Sequence, residues 1–102
     1  MSIPTLYLIA IVDGTFTNTE GNKLYTALVP YLATGQTIRL SLRDATPMST
    51  SFLNSSFGEL IDKFGLSAFR NTLRIGDYIP SHAAAIKRYV DNYQPAAELA
   101  TS

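Results

Sequence analysis

The chain has 102 residues, eight basic against eight acidic, with 46% hydrophobic residues and no cysteine. A domain of that length buries about 60 to 70% of the surface its unfolded chain exposes, so it can fold alone with little margin. Balanced, scattered charge excludes the footprint of a nucleic-acid binder and of an electrostatically held membrane protein; a lone histidine without cysteine excludes disulfides, thiol chemistry and a structural zinc site. The composition fits a cytoplasmic protein, and no cofactor is expected.

The apolar run Leu6 to Val12 is too short for a membrane span and has no basic residue before it, as a signal peptide requires. It is expected to be a strand buried on both faces. From Thr17 to Thr34, Leu24, Ala27, Leu28, Tyr31 and Leu32 form one helical stripe, with Thr17 and Glu20 in capping-box relation and Gly35 as C-terminal cap. Pro30 is expected to kink this helix or split off its last turn. Ile38, Leu40 and Leu42 alternate with Arg39, Ser41 and Arg43 as in a half-buried strand. After Pro47 and the hydroxyls Ser49, Thr50 and Ser51, the residues Leu53, Phe57, Leu60, Ile61 and Phe64 recur at helical spacing up to Gly65. Leu66 to Asn71 is read as a short helical turn and Thr72 to Ile75 as a third strand. Ser81 is an N-cap candidate for a last helix carrying Ile86, Tyr89, Val90 and Tyr93, and Pro95 is expected to stop it.

This β-α-β-α-β-α order implies an α/β fold with a small parallel sheet and right-handed crossovers. Placing the most apolar strand centrally gives spatial order 2-1-3. A crevice is then expected at the carboxyl ends of strands one and two, with Asp13, Gly14 and Thr15 on one side and Ser49, Thr50 and Ser51 on the other.

The segments YLIAIVDGTFTNTEGNKLYTAL and IRLSLRDATPMSTSFLNSSFGELI resemble the core of the STAS fold, shared by anti-sigma-factor antagonists and the cytoplasmic domains of sulfate transporters. The resemblance is greatest to small bacterial STAS-like proteins of uncharacterised function, whose helix opens with a Ser/Thr-Ser-Phe-Leu signature like Thr50, Ser51, Phe52 and Leu53. It covers roughly residues 6 to 93. In the anti-sigma antagonists the matching turn reads Asp-Ser-Ser/Thr-Gly, and a kinase of the GHKL ATPase class phosphorylates the hydroxyl after the Asp. Here Ser49 stands for that Asp, Thr50 for the acceptor, Ser51 for the next hydroxyl and Phe52 for the Gly. The resemblance implies a STAS-like domain over residues 1–93, with 94–102 as a C-terminal tail. It implies a regulatory protein-interaction module, not an enzyme, whose partner is a GHKL-type ATPase or kinase. Thr50 and Ser51 are the phosphoacceptor candidates. Asp13, Ser49, Thr50, Ser51 and Phe52 are the expected partner surface, with Phe52 as an apolar anchor.

Other readings compete with this one. Hydroxyls before an apolar helix most often serve as N-caps, each stabilising by about 0.5 to 2 kcal/mol. A subunit that pairs through an exposed sheet edge into a homo-oligomer is the alternative function. Asp13, Ser51 and His82 contain the residue types of a hydrolase, but no G-x-S-x-G elbow precedes a helix, and His82 is expected at the solvated surface. Neither a Walker A loop nor a G-x-G-x-x-G turn is present, so nucleotide binding by this chain is not expected.

Overall fold

A computed structural model describes residues 3–93. In chain order it forms β1 (Thr5–Tyr7), the single turn α1 (Leu8–Ile11), α2 (Asn18–Thr34), β2 (Ile38–Ser41) and α3 (Thr50–Leu53). A π-helical turn (Asn54–Gly58), α4 (Glu59–Phe64), α5 (Leu66–Thr72), β3 (Leu73–Gly76) and α6 (Pro80–Asn92) follow. The alternation of strands and helices is the expected one. The strands pair in parallel, in the order β1-β2-β3.

That order corrects the expected 2-1-3, and the cause lies in the first apolar run. Only Thr5–Tyr7 of this segment is strand. The chain then winds into α1, which puts Leu8 and Val12 in the core and leaves Ile9 exposed. A continuous apolar run fits a buried strand and a buried helical turn equally well. The central strand is instead β2, whose Ile38 and Leu40 are fully buried.

The strand order decides where the helices lie. Two right-handed crossovers that step in the same direction deliver both sets of helices to one side of the sheet. Register makes the consequence visible. Leu6, Leu40 and Ile75 align across the sheet, as do Ile38 and Leu73, and these apolar residues face the helices. Thr5, Arg39 and Arg74 align on the opposite face, as do Tyr7, Ser41 and Gly76. There Thr5, Tyr7, Arg39 and Arg74 are exposed.

The helical side holds the core. Leu24, Leu28 and Leu32 of α2 pack with Phe52, Phe57, Leu60 and Ile61, and the rings of Phe57 and Phe69 meet edge to face with centroids 5.6 Å apart. Burying each such side chain contributes about 1.5 to 3 kcal/mol. Thr17 caps α2 by accepting from the Glu20 N–H, and Gly35 closes it in the left-handed region at φ 73°. The helix runs unbroken through Pro30. Ile79, not Ser81, is the N-cap of α6, because Pro80 occupies its first turn, where no N–H is needed. The expected stop at Pro95 and the tail 94–102 lie outside the described residues.

Candidate functional site

The hydroxyl turn is built from β2 outward. Leaving β2, the chain passes Asp44, held at φ 60°, and crosses to α3 through Thr46, Pro47 and Met48. Thr15, only 2% exposed, latches this crossing: its Oγ1 lies 2.6 Å from the Pro47 carbonyl and 2.6 Å from Thr46 Oγ1. Ser49 is tied down further. Its N–H donates to the Thr15 carbonyl at 2.9 Å, its hydroxyl donates to the Phe16 carbonyl at 2.8 Å, and the same oxygen accepts from the Phe52 N–H at 3.1 Å. Ser49 is therefore the N-cap of α3 and the staple between two loops. These bonds close the Asp13 loop against the hydroxyl turn, so the expected crevice is displaced: a cleft of about 320 Å³ has Asp13, Gly14 and Thr15 on one side but Asp44, Ala45 and Thr46, not Ser49 to Ser51, on the other. The order β1-β2-β3 also has no reversal between strands one and two, which removes the topological reason for a crevice there.

Thr50 and Ser51, the first two residues of α3, are exposed. Phe52 is not: it is 0% exposed, which overturns its expected role as a protruding anchor. The reason is the π turn that follows. Bonding from i to i+5 shifts the helical phase by one residue, so Phe52 and Phe57, five positions apart, both turn inward. Ser55 and Ser56 support the turn by donating to the Ser51 and Phe52 carbonyls at 2.8 and 2.7 Å. Gly21 of α2 lies directly against Phe52 and Ser55, and a side chain there would collide with the Phe52 carbonyl at 2.7 Å. On the other side, Tyr89 of α6 and Tyr93, the residue that caps its C-terminus, cover Gly58, and the Tyr89 hydroxyl donates to Asn54.

Thr50 looks into a groove of about 540 Å³ between α3 and α6, lined with it by Met48, Leu53, Arg88 and Tyr89. Burial, then the neighbouring Tyr93 and Glu59, push the Tyr89 phenol up to about 12. Tyr93 is also raised, by burial first and then by Asp62. Ser51 faces away, toward Asn18, Asn22 and Glu59.

Asp13 is 91% exposed and sits apart from the turn, paired with Lys23 at 3.3 Å while its N–H donates to Glu20. Hydrogen bonds from Lys23 to Glu20 and then to Asp13 raise the Lys23 ammonium above its usual value. His82 is 6% exposed, contrary to the expected solvated position, and its Nδ1 is buried without a partner. On α6 it takes the same stripe as Ile86 and Val90, four and eight residues on, which explains its burial. No hydrogen bond joins Asp13, Ser51 and His82 among the described residues, so a nucleophile–base pair is not assembled. Nor is any group of three His, Cys, Asp or Glu residues there placed to hold a metal ion. No helix among the described residues is long and apolar enough to cross a membrane.

A parallel three-stranded sheet with its helices gathered on one side, and a hydroxyl turn leading from the central strand into a helix, defines a STAS-like α/β domain. Residues 20–77 match the family described as the STAS-like domain of unknown function, DUF4325, and the chain belongs to that family. The match spans α2 to the end of β3 and so includes the hydroxyl turn. No curated protein and no solved structure matched the chain.

Proposed function

We propose that the protein is a regulatory interaction module that presents Thr50, Ser51 and the adjoining α3–α6 groove to a partner protein, and that this partner is a GHKL-type ATPase or kinase acting on Thr50. One observation carries the reading. Of the four residues in the turn, Ser49 is consumed by the fold and Phe52 is buried, whereas Thr50 and Ser51 remain at the surface. Phosphorylation would transfer the γ-phosphoryl group of ATP to Thr50 Oγ1, releasing ADP and the hydroxyl proton. The added charge of about −1.5 to −2 would then stand in the groove beside Arg88.

Incubation with a GHKL-type ATPase and ATP, followed by intact-mass measurement, tests the proposal. The expected result is a mass gain of one phosphate that Thr50→Val abolishes and Ser51→Ala leaves. Neither a mass gain nor a complex would remove the kinase reading. Asp13 drops to the margin of the proposed surface because its carboxylate is engaged by Lys23 away from the groove. A second reading, pairing through a sheet edge, is favoured by β1 and β3 each having a strand neighbour on one side only among the described residues. A monomer in sedimentation at high concentration would refute it.

A further inference from the structure

We infer that the helix-free face of the sheet is a second contact surface, and that its occupant is an acidic segment of a partner protein whose carboxylates pair with Arg39 and Arg74. Parallel sheets are nearly always covered on both faces. In this one, helices cover the Leu40 side alone, and no helix among the described residues covers the other. What stands there is charged. Arg39 and Arg74 are direct register partners on neighbouring strands, which lie about 4.8 Å apart. Like charges placed directly opposite each other on one face are destabilising.

The face supplies one carboxylate for these two guanidiniums. Asp77 accepts from Arg39 Nη2 at 3.1 Å and from the Ser41 hydroxyl at 2.6 Å. Arg39 thereby folds down over Gly76, where any side chain would collide with the guanidinium. No ion pair engages Arg74 among the described residues. Arg43 and Asp44, adjacent in the chain, stand at the rim beside Tyr7 and add no net formal charge. The centre of the face therefore carries excess positive charge next to the half-exposed ring of Tyr7.

Complementarity then selects the occupant. Arginine forks match carboxylates bidentately, and a flat sheet face admits an extended segment. A polyanion such as nucleic acid needs a long basic track, whereas this chain is neutral overall. The Arg39–Asp77 pair is half exposed on both sides and so is weak enough to exchange for an incoming carboxylate. This surface lies on the opposite side of the sheet from Thr50 and does not depend on its modification.

The test is a titration of 15N-labelled full chain with a poly-glutamate peptide at low ionic strength, repeated with an oligothymidylate. Amide shifts are expected at Thr5–Tyr7, Arg39–Ser41 and Arg74–Asp77, with affinity falling as salt is added. Arg74→Ala is expected to weaken binding about tenfold, the effect of one charge-assisted pair. Asp77→Asn, which releases Arg39, is expected to strengthen it, and Lys63→Ala on α4 to leave it unchanged. Absent shifts, shifts confined to the helices, or indifference to Arg74→Ala in a variant whose spectrum shows it folded would overturn the inference. Tighter binding of oligothymidylate than of poly-glutamate at equal salt would also overturn it, in favour of a nucleic acid.

Discussion

The two faces of the sheet are made by the same strands, yet they are held by different physics. On the helical face, Leu6, Ile38, Leu40, Leu73 and Ile75 exclude water against α2, the π turn and their neighbours. On the other face, Ser41 and Gly76 are just as buried, but what covers them is the Arg39–Asp77 pair. One face is stabilised by area removed from water and tolerates no change of volume. The other is stabilised by a few polar bonds that solvent and a ligand can compete for. The difference teaches that a small parallel sheet can leave a face without helices if its own charged side chains fold over the centre.

Substitutions should divide along the same line. Leu40→Ala removes a side chain with no exposed surface from the centre of the helical face, and is expected to cost about 2 to 5 kcal/mol in urea unfolding. Against a total stability of about 5 to 15 kcal/mol, that variant stands near the threshold of folding. On the polar face the largest expected loss is Asp77→Ala. Asp77 adopts φ 53°, a left-handed conformation that Asp tolerates better than Ala, and its carboxylate is the acceptor for the buried Ser41 hydroxyl. Losing both is expected to cost about 1 to 3 kcal/mol. Asp77→Asn keeps an acceptor and the backbone preference, so it should lose less than half as much. Equal losses for the Ala and Asn variants would mean that charge, and not geometry, holds the polar cover.

The helical side also predicts a pH dependence at α6. The Tyr89 phenol has its value raised from 10.0 to about 12 by burial first and by Tyr93 and Glu59 second. Between those values the unfolded chain loses the proton that the folded chain keeps. Stability from this group is therefore fully present below about pH 10 and declines as pH rises toward about 12. Unfolding measured across that window should show a slope that Tyr89→Phe reduces. An unchanged slope would show that the ring is solvated and that α6 seals the Gly58 seam less tightly than the packing implies.

Much of this was legible in the sequence, and the misses have specific causes. The alternation of elements, the Thr17 and Gly35 caps and the end of α4 at Gly65 follow from local rules, and the structure has them. Strand order was not legible, because the apolar run through Val12 conceals a switch from strand to helical turn after Tyr7. Phe52 differs for a related reason: uniform α-helical phase puts it ahead of the buried stripe, whereas the π turn adds one residue. Ser55 and Ser56, side by side in an otherwise apolar stripe, were the signal available for that turn. A place in the first turn of the last helix suggests solvent for His82, whereas its spacing to Ile86 and Val90 puts it on the buried stripe. The exposed Thr50 and Ser51 follow from Ser49 serving as the cap, which hydroxyl chemistry alone suggests.

The smallest expected effect is the most discriminating. Arg74 stands exposed on the polar face, beside Arg39 in register and without an ion-pair partner among the described residues. If it served only to solvate the sheet, Arg74→Ala would change nothing but solubility. If it served stability, its removal would cost free energy. The register argument gives a third outcome: removing one of two adjacent like charges should leave stability within about 0.5 kcal/mol of the parent or raise it slightly, since a cross-strand repulsion is relieved. Leu40→Ala and Arg74→Ala, residues on adjacent strands and opposite faces, would then differ by about 2 to 5 kcal/mol in stability while differing in the reverse sense in binding to poly-glutamate. A residue that does not stabilise the fold yet strengthens a contact acts through the contact. Measuring both quantities on Arg74→Ala therefore separates the face that holds the domain together from the face that it offers.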